Sequence, residues 1–184
     1  MFKANLRRGR RLFPVILAAA LIATAFAGST VARAGGGGCA LVASERGPSE
    51  IILRCGDSLT VRPAQGARYR PIYKAGEPLP EAIRLDNGAL LIEFQPSPQR
   101  EDFQILTPLA VAAVRGTKWA MEVSPARTST LVLAGAVAVT NRRLNEYVIL
   151  REGEGVDITP SGTTIVQKRW GDARVRALLS RFGE

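Results

Sequence analysis

The sequence predicts an all-β fold: an antiparallel β-sandwich or jelly roll, or a short solenoid-like array of hairpins, with a C-terminal amphipathic helix. Three observations lead there. From residue 82 onward, strand-like segments recur at short intervals, and turn signals containing Gly or Pro separate many of them. Within Lys118 to Val123, Trp119, Met121 and Val123 fall on one face and Lys118, Ala120 and Glu122 on the other, the period of a strand with one buried face. At the end, Val175, Leu178, Leu179 and Phe182 follow the spacing of a helix stripe instead.

The elements follow in order. Residues 1–34 contain no acidic side chain and carry Lys3, Arg7, Arg8, Arg10, Arg11 and Arg33 around an apolar stretch from Leu12 to Ala27. That stretch is shorter than the roughly 20 residues that span a bilayer. A basic start, a short apolar stretch and a small-x-small site read as a secretory signal peptide. Ala25-Phe26-Ala27 and Ala32-Arg33-Ala34 both fit the site; the second is preferred, with cleavage between Ala34 and Gly35. An uncleaved anchor is the competing reading. Arg10-Arg11 resembles a twin-arginine signal only weakly, so general export to the periplasm is expected. Gly36 to Gly38 before Cys39 do not make a lipidation site.

Residues 35–81 form the front of the mature domain. Leu41-Val42, a turn through Arg46-Gly47-Pro48, and Ile51 to Leu53 predict a hairpin, and Ser58 to Arg62 a further strand. Residues 63–80, rich in Pro, Gly and Ala, read as covering loops. Residues 82–159 form the β domain. Asp86-Asn87-Gly88 predicts a tight hairpin between Ile83/Leu85 and Leu90, Ile92 and Phe94. Strands follow at Phe103 to Leu106, Ala110 to Val114, Lys118 to Val123, Ser129 to Leu133, Ala136 to Thr140, Tyr147 to Leu150 and Val156 to Thr159. Gly116, Gly135 and Gly155 recur at near-equal intervals, which suggests a repeated up-and-down pair. In residues 160–184, Asp172 is the expected N-cap, with Arg174, Arg176 and Arg181 on the free face of a helix that covers an open end or edge of the sheet.

Charge and cysteine usage limit the function. The formal charge is +9, from 25 Lys and Arg against 16 Asp and Glu. Without the six basic residues of the signal segment, 19 stand against 16 and the charge is +3. The remaining charges alternate in sign, so nucleic acid is not expected as a partner. Cys39 and Cys55 are the only cysteines, and in an exported chain they would persist as a disulfide. Such a bridge would contribute about 3 kcal/mol on the chain-entropy account. A two-cysteine metal site is the rival, disfavoured by the lack of histidine and of a CxxC pair.

No catalytic constellation is visible. Without histidine there is no Ser-His-Asp or Cys-His arrangement. Lys74, Lys118 and Lys168 lie in no S-x-x-K motif. Nothing in the sequence fixes Glu93, Glu101 and Asp102 at the separation that glycoside hydrolysis requires. Glu152 and Glu154 read as a solvated hairpin tip rather than a calcium loop. Neither enzyme activity nor a cofactor is expected.

The informative segment holds Thr107-Pro108, a small-residue stretch, Val114-Arg115-Gly116-Thr117 and Trp119, followed by a Gly-centred hairpin at Gly135. Here the chain resembles the FecR family of periplasmic sensor domains, over roughly Gly88 to Ile158. Pro108 suits a break between strands, and Gly116 a sharp turn. Arg115 is expected to clamp loop carbonyls or a carboxylate, and Trp119 to sit in the core. The resemblance implies signal transduction, in which family members sense an outer-membrane receptor and regulate a sigma factor. Against that layout no cytosolic domain, long membrane span or receptor-contacting module is expected, so a free periplasmic module is expected, not a self-sufficient anti-sigma regulator. Its expected partner is an envelope or membrane signalling protein. A module binding cell-wall glycan is the alternative, against which an aromatic content of 6% leans.

Overall fold

In the computed structural model the described residues are 38–44, 47–98 and 100–184, and all of them belong to one compact unit. The chain folds as β1 (Cys39–Ser44), β2 (Gly47–Cys55), β3 (Leu59–Pro63), β4 (Arg68–Tyr73), β5 (Pro80–Phe94), β6 (Phe103–Leu106) and β7 (Ala110–Val114). It continues as β8 (Thr117–Ser124), β9 (Arg127–Ala134), β10 (Ala136–Asn141), β11 (Glu146–Arg151), β12 (Glu154–Ile158), β13 (Lys168–Arg169) and α1 (Asp172–Leu179). A single turn of 3₁₀ helix, Ser180–Phe182, closes the chain. The all-β class expected from the sequence is what the structure shows, and the predicted signal segment with its Ala34–Gly35 site lies outside the described residues.

Two sheets share one strand. The first half of β5 lies between β4 and β6, and its second half between β3 and β8. The first sheet runs β1-β2-β3-β5-β8-β9-β12-β13, and the second β4-β5-β6-β7-β10-β11. Asp86-Asn87-Gly88 is therefore not the tight hairpin that its composition suggests. Gly88 has φ of 89°, and the backbone bends there as the strand changes sheets. An added Cβ at Gly88 would lie 2.6 Å from the Ala67 Cα, so the bend needs glycine for space as well as for dihedral.

The array is not a solenoid, and it is not wholly antiparallel: β5 and β6 run parallel, with Ile83 opposite Ile105. Gly116 and Gly135 take positive φ at turns, whereas Gly155 lies inside β12. Each interval nevertheless holds one up-and-down pair, β8 with β9 and then β10 with β11, the second ending at the Gly153 turn just before Gly155. Residues 63–80 are also not all loop, since β4 pairs with β5. Pro71 is tolerated because β4 is an edge strand, and two register shifts accompany it. The β1–β2 hairpin forms as expected; the centre of its turn, residues 45 and 46, lies outside the described residues.

The inner faces of both sheets meet in one core. Leu90, Ile92, Trp119, Met121 and Val132 come from the first sheet, and Ile83, Phe103, Ile105, Val137 and Val139 from the second. Phe94 and Phe103 stack across it at 5.5 Å between ring centroids. A second cluster lies on the outer face of the first sheet, where Ala89, Leu91, Ala120 and Leu131 meet Trp170, Leu178 and Phe182. The helix thus covers a face, not an end or edge. This also buries Ala120, so β8 is covered on both sides along its middle. Gly171, not Asp172, is the N-cap, and Asp172 opens the helix, where its charge suits the macrodipole. Among the described residues, no helix is long and apolar enough to cross a membrane.

Candidate functional site

The motif residues sit at the two ends of β7. At one end, Thr107 is fully buried; its Oγ1 donates to the Ala110 carbonyl at 2.9 Å and accepts from the Ala110 N–H at 2.8 Å. The Thr107 N–H donates to the same carbonyl at 2.8 Å, and its own carbonyl accepts from Arg142 Nη1 at 3.1 Å. Pro108 lies in this turn between β6 and β7, where no ladder bond is lost. A cleft of ≈ 180 Å³ opens beside it, lined by Pro108, Leu109, Val123, Pro125 and Thr128 among others.

At the other end, Val114 is buried in the core and Gly116 turns the chain with φ of 68°. Gly135 takes φ of 84° directly against it, and an added Cβ there would lie 2.7 Å from the Gly116 carbonyl oxygen. Thr117 Oγ1 donates to the Ala136 carbonyl at 2.9 Å. Neither turn closes a hairpin, the one expected at Gly135 included: both carry the chain from one sheet to the other, β7 to β8 and β9 to β10, and they are locked back to back. Arg115 points away from this lock: its side chain is 73% exposed and pairs with Glu101 at 3.2 Å. An ion pair so exposed contributes little. Trp119 is fully buried. The structure therefore spreads the motif over both ends of a strand and does not gather it into one pocket.

Cys39 and Cys55 stand opposite each other in the β1–β2 ladder and are bonded to each other. Sulfurs so engaged are not free thiolates for a metal, which removes the two-cysteine alternative. The candidate carboxylates are also dispersed. Glu93 pairs with Lys118 at 2.9 Å, Glu101 with Arg115, and Glu154 Oε2 accepts from the Arg151 N–H at 2.7 Å. Among the described residues no group of three His, Cys, Asp or Glu forms a metal-ligand set.

A polar cluster that the sequence reading did not single out fixes the C-terminal helix. Asp157 on β12 accepts from Ser129 Oγ at 2.6 Å and from Arg174 Nη2 at 2.5 Å. The Arg174 guanidinium lies 3.4 Å from the ring centroid of Trp170. Trp170 occupies the space over Gly155, where an added Cβ would strike the indole and lie 2.6 Å from the Thr130 carbonyl oxygen. Burial alone would raise the Asp157 pKa, but hydrogen bonds from Arg174 and Ser129 and the charges of Arg174 and Arg127 outweigh it and hold it low. Arg181 pairs with Glu122, and Glu184 with Arg62 at 3.0 Å and Lys118 at 3.4 Å. Two of the three arginines assigned to the free face are thus tied to the sheet. A glycine inside a strand was the available signal, since it marks close approach of another group.

A concavity of ≈ 820 Å³ lies between β2, the 63–67 loop and the last turn, lined by Glu50, Ile51, Gln65, Tyr69, Arg181 and Phe182 among others. Burial raises the Tyr69 pKa there. A different surface is the outer face of the second sheet. Residues opposite in a ladder share a face, so Gln104 and Leu106, Ala113 and Val111, Ala138 and Thr140, and Ile149 and Tyr147 form two rows across four strands. All are half-buried or exposed, with Tyr147 at 67% and Ile149 at 50%.

A sequence profile described as FecR protein matches residues 46–138, half of the 184-residue chain. The chain belongs to the FecR family. Its FecR match spans β2 to the first residues of β10, and so contains both motif turns and the shared strand β5. Two crystal structures of candidate anti-sigma factors from Parabacteroides distasonis ATCC 8503 have a similar fold. One, at 1.65 Å, gives a TM-score of 0.53 at 16% identity over 66% of this chain. The other, at 2.50 Å, gives 0.55 at 15% identity over 78%. The chain spans 56% and 61% of those two structures, and at such identity the likeness concerns the fold alone. No curated protein matches it in sequence.

Proposed function

We propose that this FecR-family chain is a non-enzymatic, exported interaction module that binds another envelope or signalling protein and works in the periplasm. The observation that carries the proposal is the family membership itself, because FecR is a regulatory family. The Cys39–Cys55 bond supports an oxidising compartment. The signature residues Thr107, Gly116, Thr117 and Gly135 are spent on turn geometry, which supports a scaffold in place of a reaction centre. The largely apolar rows on the outer face of the second sheet, with Gln104 and Thr140 among them, supply the kind of contiguous patch that supports protein contact.

The test is capture from envelope extract by the oxidised, processed protein, beside binding to purified cell-wall material. Saturable capture of one protein, reproduced with that protein purified and lost in Leu106→Glu, is the expected result. Retention by wall material alone would overturn the proposal in favour of a glycan-binding module.

A further inference from the structure

We infer that a second copy of this chain docks along β11, extending the second sheet across a two-fold axis with Val148 at its centre. Among the described residues β11 pairs only with β10, and without any register shift. Edge strands are ordinarily protected against such pairing by proline, lysine, bulges or shortness. β4 has Pro71, flanking arginines and two shifts; β1 has a shift at Ala43/Ser44; β13 has two residues. β11 has no proline, lysine or bulge, its charged residues Glu146 and Arg151 stand at its two ends, and Tyr147 and Ile149 are exposed on it.

Its sequence is self-complementary in one register. Opposite residues must share a face, so the axis of an antiparallel pair falls on Tyr147, Val148 or Ile149. Centring on Val148 sets Tyr147 against Ile149 of the second copy, twice, as aromatic–β-branched pairs. It also brings the Glu146 end of each strand beside the Arg151 end of the other. Centring on Ile149 would place Glu146 opposite Glu152 of the second copy, a like-charge contact. Centring on Tyr147 would leave Ile149 opposite Asn145. Charge and apolar pairing thus select the same arrangement.

The mass of the purified full chain, by sedimentation at protomer concentrations up to on the order of 100 µM, tests this. A two-copy species is expected. Ile149→Lys, at a half-exposed position that leaves the far-ultraviolet dichroism unchanged, is expected to weaken it at least about tenfold, one lysine entering each pair. Val148→Cys is expected to link two chains on mild oxidation, and Arg70→Cys on β4 to leave them separate. A monomer throughout, or a dimer indifferent to Ile149→Lys, overturns the inference. So does a dimer that Val148→Cys fails to link or that Arg70→Cys links.

Discussion

Asp157 holds the helix to the sheet through a charge, and that makes its contribution dependent on pH. Its folded pKa lies below that of an ordinary aspartate, so the unfolded chain takes up this proton first as pH falls. The stabilisation is therefore complete above the ordinary carboxylate range and is lost as pH drops through the depressed folded value. Thermal unfolding followed across acid pH is expected to show this slope, and Asp157→Asn to flatten it. At the β6–β7 turn, Thr107→Val leaves the buried Ala110 N–H without its acceptor, for a loss of about 1–3 kcal/mol in denaturant unfolding. Gly135→Ala meets both a positive φ and the Gly116 carbonyl, so it is expected to destabilise by more than about 1 kcal/mol.

The helix and the first hairpin are each fastened from outside their own sequence. Leu178 is buried against Ala120 and Leu131, and Leu178→Ala is expected to cost about 2–5 kcal/mol through lost contact and residual cavity. Replacing Cys39 and Cys55 together by Ala is expected to cost about 3 kcal/mol, measured as a lower denaturant midpoint. Strands with one wet face were legible because alternation reports burial directly: β6 to β12 lie where the periodicity puts them, within a residue or two at their ends. β4 was hidden because Pro71, an edge-strand residue here, reads locally as a loop signal. The bend at Gly88 was hidden because Asp-Asn-Gly has one composition for a hairpin and for a kinked strand. The Asp157–Arg174–Trp170 cluster joins residues distant in sequence, and only the pocket over Gly155 announces it.

For the molecule as a whole, β8 faces the central core through Trp119 and the helix cluster through Ala120. Loss of either cluster uncovers the same strand, so both are expected to melt in one transition. Fluorescence of Trp170 in Trp119→Phe, and of Trp119 in Trp170→Phe, is expected to change with the far-ultraviolet dichroism of the same variant. Separate midpoints within one variant would mean that the helix layer dissociates first. The passage of β5 from one sheet into the other has a consequence for ancestry. No breakpoint between Pro80 and Phe94 leaves either fragment with a complete set of neighbours. A crossover there would join strands that diverged against different partners, so lineages carrying this domain are expected to vary more at their borders than in the middle.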